Sequence, residues 1–203
     1  MNEIIKRIEW MIALERVRIS NILAQIYQKE NSKVYCFNRN LPLKQINPKI
    51  EVEIKKIKTV DELEKYRKNM HSTYFIKFNT FLEHGCVGFF ATKGEELLSL
   101  CWLTNLKKYC PSPYSKYLTA NLDGVSYIFF CYTPIEYRGN RLCPYLLYNI
   151  LDKEIKEDIV YIDAAVSNIS SQKCIERVGF KLEYVLDYLR LFWRDIYFKK
   201  IIY

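Results

Sequence analysis

Histidine is almost missing from this chain of 203 residues. His71 and His84 are the full complement, and two imidazoles leave a histidine-based metal site short of ligands. Cys-x-x-Cys pairs are absent too, although cysteines stand at 36, 86, 101, 110, 131, 143 and 174. Most lie inside apolar stretches, which suits reduced, buried thiols in a cytoplasmic protein and no metal. No apolar run approaches the ~20 residues that span a bilayer. The first residues, with Glu3, Arg7 and Glu9 close together, lack the apolar core and small-residue cleavage site of a signal peptide. Internal repeats and low-complexity segments are missing as well.

What is present describes a globular chain. Half the residues are apolar and 15% are aromatic, which excludes a disordered chain. The length suits one domain with an appendage. The net charge is +8, unevenly spread: residues 1–50 hold nine Lys and Arg against four Glu, and the remainder 22 against 19. An acidic partner is therefore expected, with most of the excess charge in the first quarter of the chain. Basicity alone does not separate a phosphate-rich cofactor from a membrane or a nucleic acid.

Along the chain, residues 3–28 read as a helix. Ile4, Ile5, Ile8, Met11, Ile12, Ile19, Ile22, Leu23 and Ile26 fall within one arc of about 120°, with Glu15 in its middle and Trp10, Leu14 and Val17 opposite. A short strand, Lys33 to Phe37, follows. Alternation predicts a strand at Glu51–Ile54, and Thr59 or Asp61 can cap a helix running to about His71. A second helical stretch ends near His84-Gly85. Strands Cys86–Thr92 and Leu97–Leu103 form a hairpin around Lys93-Gly94-Glu95-Glu96. A loop over 107–123 is rich in Pro, Ser and Tyr. After it come strand Ser126–Thr133, helix Pro144–Lys156, strand Ile159–Val166, helix Ser170–Val178 and an antiparallel stretch from Phe180 to about Phe192.

The segment after the loop carries the chemistry. An apolar, aromatic run, Tyr127 to Cys131, leads into Tyr132-Thr133-Pro134-Ile135-Glu136-Tyr137-Arg138-Gly139-Asn140-Arg141-Leu142-Cys143-Pro144. Strand, Arg-Gly turn and helix hold an anionic group, because turn N–H groups and the positive helix end point at one spot. The same residues also read as an ordinary strand-to-helix turn. Some thirty residues on stand Asn168-Ile169-Ser170-Ser171 and then Val178-Gly179-Phe180. Asn168 and Ser171 alone read equally as a helix cap.

In this order and spacing the two motifs resemble the GCN5-related N-acetyltransferase (GNAT) superfamily, which moves an acyl group from coenzyme A to an amine. The resemblance covers roughly residues 50–195. It implies an α/β fold with a mixed, mostly antiparallel central sheet flanked by helices. Residues 1–49 would be an N-terminal helix and strand extension, and 50–203 the transferase domain. It further implies acetyl-CoA, or another acyl-CoA, as co-substrate. Arg138, Gly139, Asn140, Arg141, Leu142 and Cys143 would form the pyrophosphate turn. Cys131, Tyr132 and Thr133 would pair with pantetheine amides, and Asn168 and Ser171 would touch the pantetheine arm. The family turn reads Arg-Gly-x-Gly-x-Gly/Ala, so Arg141 and Cys143 replace two small residues that ease close backbone approach. Cys131 also reads as a buried core thiol.

Acyl transfer needs a deprotonated amine, a polarised carbonyl and a proton for the leaving thiolate. The resemblance places the base five residues before Asn168, at Asp163, acting through water. A strand carboxylate paired with a nearby cation is the plainer reading. Many members carry a Tyr acid seven residues after the motif Asn, where this chain has Ile175. Tyr132 is the second candidate as a donor near sulfur, against packing in the core. For the acceptor, Trp102, Tyr109 and Tyr114 mix aromatic faces with the cations of the 107–117 segment, a surface able to stack a sugar or base and grip a phosphate. A solvated loop anchored by Tyr fits the same residues.

The helix and strand ahead of the domain look loosely similar to acyltransferases of surface-polysaccharide biosynthesis, which implies a nucleotide-linked amino sugar as acceptor. A protein or peptide amine is the second substrate. A different class stays open: a GNAT-fold module without activity, docked on protein or lying on a membrane. Glu15 inside the apolar arc favours docking on the domain or a subunit, and a homodimer stays open with it. Nucleic-acid binding comes last, since no basic stripe runs beside exposed aromatics outside the 107–117 segment.

Overall fold

A computed structural model describes residues 27–40, 42–106, 109, 124–191 and 194–201. Its centre is an eight-stranded mixed sheet in the order β2-β3-β4-β5-β6-β1-β7-β8. The strands are β1 (Tyr27–Asn38), β2 (Glu53–Ile57), β3 (Val87–Lys93), β4 (Glu96–Asn105), β5 (Ser126–Tyr132), β6 (Ile159–Ala165), β7 (Lys181–Leu191) and β8 (Arg194–Ile201). The β5–β6 pair is parallel and the others antiparallel. The expected α/β class, with a mostly antiparallel sheet flanked by helices, is what is found.

Each face of the sheet carries two helices. Tyr127, Phe129, Phe90, Trp102, Tyr161 and Val34 point into one core with Phe75, Phe78 and Phe81. These three phenylalanines belong to α2 (Ser72–Glu83), which follows α1 (Val60–Glu64). The residues alternating with them, Ile128, Phe89, Cys101, Val160, Ile162 and Tyr35, enter a second core. That core is completed by Leu146, Leu147 and Ile150 from α3 (Leu142–Asn149) and its one-turn π continuation (Ile150–Glu154), and by Ile175 and Val178 from α4 (Ile169–Val178). Period-two alternation over two buried faces explains why these strands read as nearly continuous apolar runs.

Local signals act where they stand. Thr59 accepts from the Glu62 N–H while Glu62 accepts from the Thr59 N–H, a capping box that starts α1. α1 stops at Glu64, short of the expected His71, and a 3₁₀ turn (Arg67–Asn69) bridges to α2. Gly94 takes positive φ in the β3–β4 turn, as expected for the hairpin. α3 begins at Leu142, two residues before Pro144. A third helical position suits proline, because the first N–H groups of a helix have no internal partner.

The N-terminal segment differs most from the sequence reading. Residues 27 and 28, placed in a helix by periodicity, begin a strand of 12 residues; the rest of that helix lies outside the described residues. β1 is no appendage: it is inserted between β6 and β7, pairing Ser32–Asn38 with β6 and Tyr27–Cys36 with β7. Val34 and Tyr35 are fully buried on opposite faces. One of the sheet's inner strands therefore comes from the residues before 49.

Candidate active site

The site opens where β5 and β6 part. They pair only through Ser126↔Val160, Tyr127↔Tyr161 and Ile128↔Ile162. Beyond that point β5 carries an extra residue against β4, since Leu100 faces Tyr132 while Trp102 faces Phe129. Phe130 takes up the bulge with φ of 48°, a conformation that costs a non-glycine residue about 1–3 kcal/mol. Packing holds it there: its ring lies 5.1 Å from Phe78 and 5.5 Å from Tyr74, with Lys77 Nζ 4.7 Å from its face. A bulge bends its strand and interrupts pairing. The β6-facing backbone of β5 after Ile128 is thus available to another extended chain.

Two adjoining clefts occupy the gap. The first, about 290 Å³, runs between β5 and β6 with Lys77, Phe81, Tyr127 and Phe130 on one side and Asp163, Ala165 and Ile175 on the other. The second, about 560 Å³, lies over the turn into α3 and is lined by Tyr132, Thr133, Arg138, Gly139, Arg141 and Leu142, among others. Cys131, Cys143, Asn168 and Ser171 line both, so the two are halves of one groove.

The turn is well fixed. Arg138 Nε donates to the Thr133 carbonyl at 3.1 Å, and Asn140 Nδ2 donates to the Tyr137 carbonyl at 3.1 Å. The Ser99 hydroxyl ties in both Tyr132 O (3.1 Å) and Thr133 Oγ1 (2.8 Å). Gly139 has φ of 83°, with open space where a Cβ would stand, so glycine is required for conformation. Arg141 also sits in the left-handed region, φ 61° and ψ 24°, at the N-cap of α3. It occupies the position where the family pattern has its second glycine. No side chain caps this helix, which leaves the Leu142 and Cys143 N–H groups to an incoming acceptor.

Charge converges on the second cleft. Arg138 and Arg141 from the turn are joined by Lys173 and Arg177, one helical turn apart on α4, and no carboxylate is among its described lining residues. Segment-by-segment counting missed Lys173 and Arg177, because only the fold carries α4 to the turn. Asn140 lies beside the cleft and braces the turn instead of lining it. Asn168 is the α4 N-cap, its Oδ1 accepting the Ser171 N–H at 3.1 Å, and it faces the groove as well. Cap and lining residue are compatible roles.

Asp163 stands on the wall of the first cleft. It accepts hydrogen bonds from the Ser32 hydroxyl, at 2.8 Å, and from the Tyr127 hydroxyl. Ser32 and Tyr127 are both buried. The carboxylate is thus aimed by two hydroxyls, one from β1 and one from β5. Ile175 also lines the first cleft, so the position that carries the family acid is filled by an aliphatic side chain.

The acceptor candidates separate. Trp102 is fully buried among Phe78, at 5.1 Å, and Phe81, at 5.3 Å. It touches neither cleft: its β4 position points into the aromatic core, where Gly88 makes room for it. Tyr109 stacks on His84 at 4.2 Å and its carbonyl accepts from Thr104, so it anchors a chain segment and is not among the described lining residues of either cleft. Tyr114 lies outside the described residues. Tyr132 is half-exposed, lines the second cleft and lies 6.0 Å from Tyr74; it is not in the core. Lys77 and Tyr127, which the sequence did not single out, line the first cleft, and neither Trp102 nor Tyr109 is among its described lining residues.

Cys131 and Cys143 belong to a group of thiols. The Cys101, Cys131 and Cys143 sulfurs lie within 4.8 Å of one another, and Cys174 Sγ is 3.1 Å from Cys143 Sγ. Hydrogen bonds from Cys101, Cys131 and Cys174 hold the Cys143 thiol well below its ordinary range, whereas burial pushes Cys101 well up.

No family model matches the sequence, and neither does any curated protein. Solved structures do. A conserved protein of unknown function from Staphylococcus epidermidis is 12% identical with a TM-score of 0.54, over 94% of this chain and 68% of that one. A GNAT-family protein from Novosphingobium aromaticivorans is 14% identical with a TM-score of 0.53, over 79% and 63%. An acetyltransferase of the GNAT family from Colwellia psychrerythraea is 14% identical with a TM-score of 0.50, over 85% and 56%. The chain thus spans between about half and two thirds of the length of these structures. With the splayed β5–β6 pair and the Arg-Gly turn in place, the chain has the GNAT fold.

Proposed function

We propose that this chain is an acyl-CoA-dependent N-acyltransferase that moves an acetyl or similar acyl group to a primary amine. The observation that carries the proposal is the second cleft: Arg138, Arg141, Lys173 and Arg177 surround the uncapped start of α3, with no carboxylate among the described lining residues. Such a cleft suits a ligand with several phosphates. The free edge of β5 leads from it into the first cleft, so pantetheine amides would pair with the strand and deliver the thioester beside Asp163. There Asp163, aimed by Ser32 and Tyr127, draws a proton from the acceptor through water. Tyr127 is the hydroxyl placed to return a proton to the thiolate, a role Ile175 cannot fill.

The acceptor we favour is an amino sugar carried on a nucleotide, with a protein or peptide amine second. Lys77 at the mouth of the first cleft, beside Phe130 and the exposed Tyr74, offers a cation for phosphate and a ring face for stacking. The six free thiols among the described residues fit a reducing compartment such as the cytoplasm. Ile175 and the left-handed Arg141 favour one other reading, a GNAT-fold module that binds acyl-CoA without turning it over. Mixing the protein with acetyl-CoA and a panel of nucleotide-linked amino sugars and peptides, and following acetylated product by mass spectrometry, separates the two. Product from one acceptor class identifies an enzyme. Binding of acetyl-CoA with no product above the hydrolysis background supports the module.

A further inference from the structure

Four elements each contribute one sulfur to a single point: Cys101 from β4, Cys131 from β5, Cys143 from the first turn of α3 and Cys174 from α4. No two are closer in sequence than 12 positions, and no motif spacing links them, so only the tertiary fold assembles the group. Three of the sulfurs lie mutually within 4.8 Å. The fourth is 3.1 Å from Cys143, which touches the three others and is the hub. Cys101 is fully buried, and Cys131, Cys143 and Cys174 open onto the groove.

We propose that Cys101, Cys131 and Cys143, with Cys174 beside the fourth position, form a thiolate site for one soft metal cation. A tetrahedral site with Zn–S bonds of about 2.3 Å holds its sulfurs roughly 3.8 Å apart. The triad's spacings, none above 4.8 Å, allow that value, and Cys174, 3.1 Å from Cys143 but outside the mutually close triad, reaches the fourth position by side-chain rotation. Sulfur-only donors select Zn²⁺ or monovalent copper over Mg²⁺ or Ca²⁺. Entry is provided, because three of the four thiols border the groove. The consequence is mechanical: an occupied site ties β4, β5, α3 and α4 together at the place where β5 bulges and the groove opens. This inference is independent of the acyl-transfer reading, and its test needs no acyl donor.

The full chain, reduced and stripped with a chelator, is titrated with Co²⁺ as the optical probe and Zn²⁺ as the competitor. The expected result is a thiolate-to-metal charge-transfer band that saturates at about one equivalent per chain and is bleached by Zn²⁺, with a rise in Tm on Zn²⁺ addition. Cys143→Ser removes the hub and abolishes the band, while Cys36→Ser, outside the group, keeps it. Cys131→Ser gives the same loss as Cys143→Ser and stands in for it if that variant fails to fold by circular dichroism. Absence of a saturable band in the folded, reduced wild type overturns the proposal. So does a band that survives loss of either cysteine, or a reduced protein that takes up no Co²⁺ and forms only a Cys143–Cys174 disulfide with oxidised glutathione.

Discussion

Arg141 stands where its fold family's pattern has a glycine, and its backbone shows why the departure matters. A left-handed conformation costs an L-residue about 1–2 kcal/mol that glycine does not incur. Arg141→Gly is therefore expected to stabilise the fold by up to ~1 kcal/mol in urea denaturation, while weakening coenzyme A binding through loss of a cation from the cleft. Gain of stability without loss of affinity would show that Arg141 is only tolerated. At Asp163 the expected change is in rate: Asp163→Asn keeps the size and accepts from Ser32 or Tyr127, but cannot take a proton, so turnover falls about 10²–10⁴-fold at similar cofactor affinity. Trp102 is the contrasting case. Its indole N–H is buried without an acceptor among the described residues, so Trp102→Phe loses little from hydrogen bonding and leaves substrate KM unchanged, whereas an acceptor-contact residue would raise KM.

β5 and β1 set the architecture of the groove, one by its bulge and the other by its insertion. β5 leaves β6 after Ile128, so backbone amides at 129–133 on its open edge are expected to exchange quickly with deuterium in the free protein. They should slow when acetyl-CoA is bound, and unchanged exchange would contradict pantetheine pairing on this edge. A chain beginning at residue 39 loses β1, which fills the space between β6 and β7 and holds Asp163 through Ser32. It is expected to lose cooperative unfolding altogether. These two elements also mark the limit of what the sequence discloses. The Thr59 cap, the Gly94 hairpin, the Arg138-Gly139 turn, the Asn168 cap and the end of α4 at Gly179, which takes φ of 118°, were all legible, because each is decided by neighbours within a few residues. The place of β1, the bulge at Phe130, the approach of Lys173 and Arg177 and the meeting of four cysteines depend on pairings across many tens of residues. No local pattern encodes them.

At the scale of the whole molecule, buried acids on two cores set a direction for pH. Burial, with Glu183 alongside, pushes the Cys36 thiol up to about 12, and burial pushes Cys86 up to about 11. Tyr35 and Tyr161 are raised as well, mainly by burial and then by Glu176 and Glu183 respectively. For an acid raised in the folded state, the stabilisation is complete below its unfolded value and lost as pH rises towards the folded one. Tm is therefore expected to hold up to about pH 8 and to fall progressively above it, since free thiols begin to ionise near 8.5; a flat profile to pH 11 would argue against tight burial. In the proposed reaction the second cleft is the seat for the phosphates of an acyl-CoA. Isothermal titration calorimetry with acetyl-CoA tests it directly, run on the wild type, on Gly139→Val and on the Lys173→Ala/Arg177→Ala pair, with dephospho-coenzyme A as the second ligand. Saturable binding that weakens with salt, is abolished by Gly139→Val, and is reduced both by the double variant and by loss of the ligand's 3′-phosphate is the predicted result. Folded wild-type protein that shows no binding at millimolar acetyl-CoA, or variants that bind as the wild type does, would contradict it.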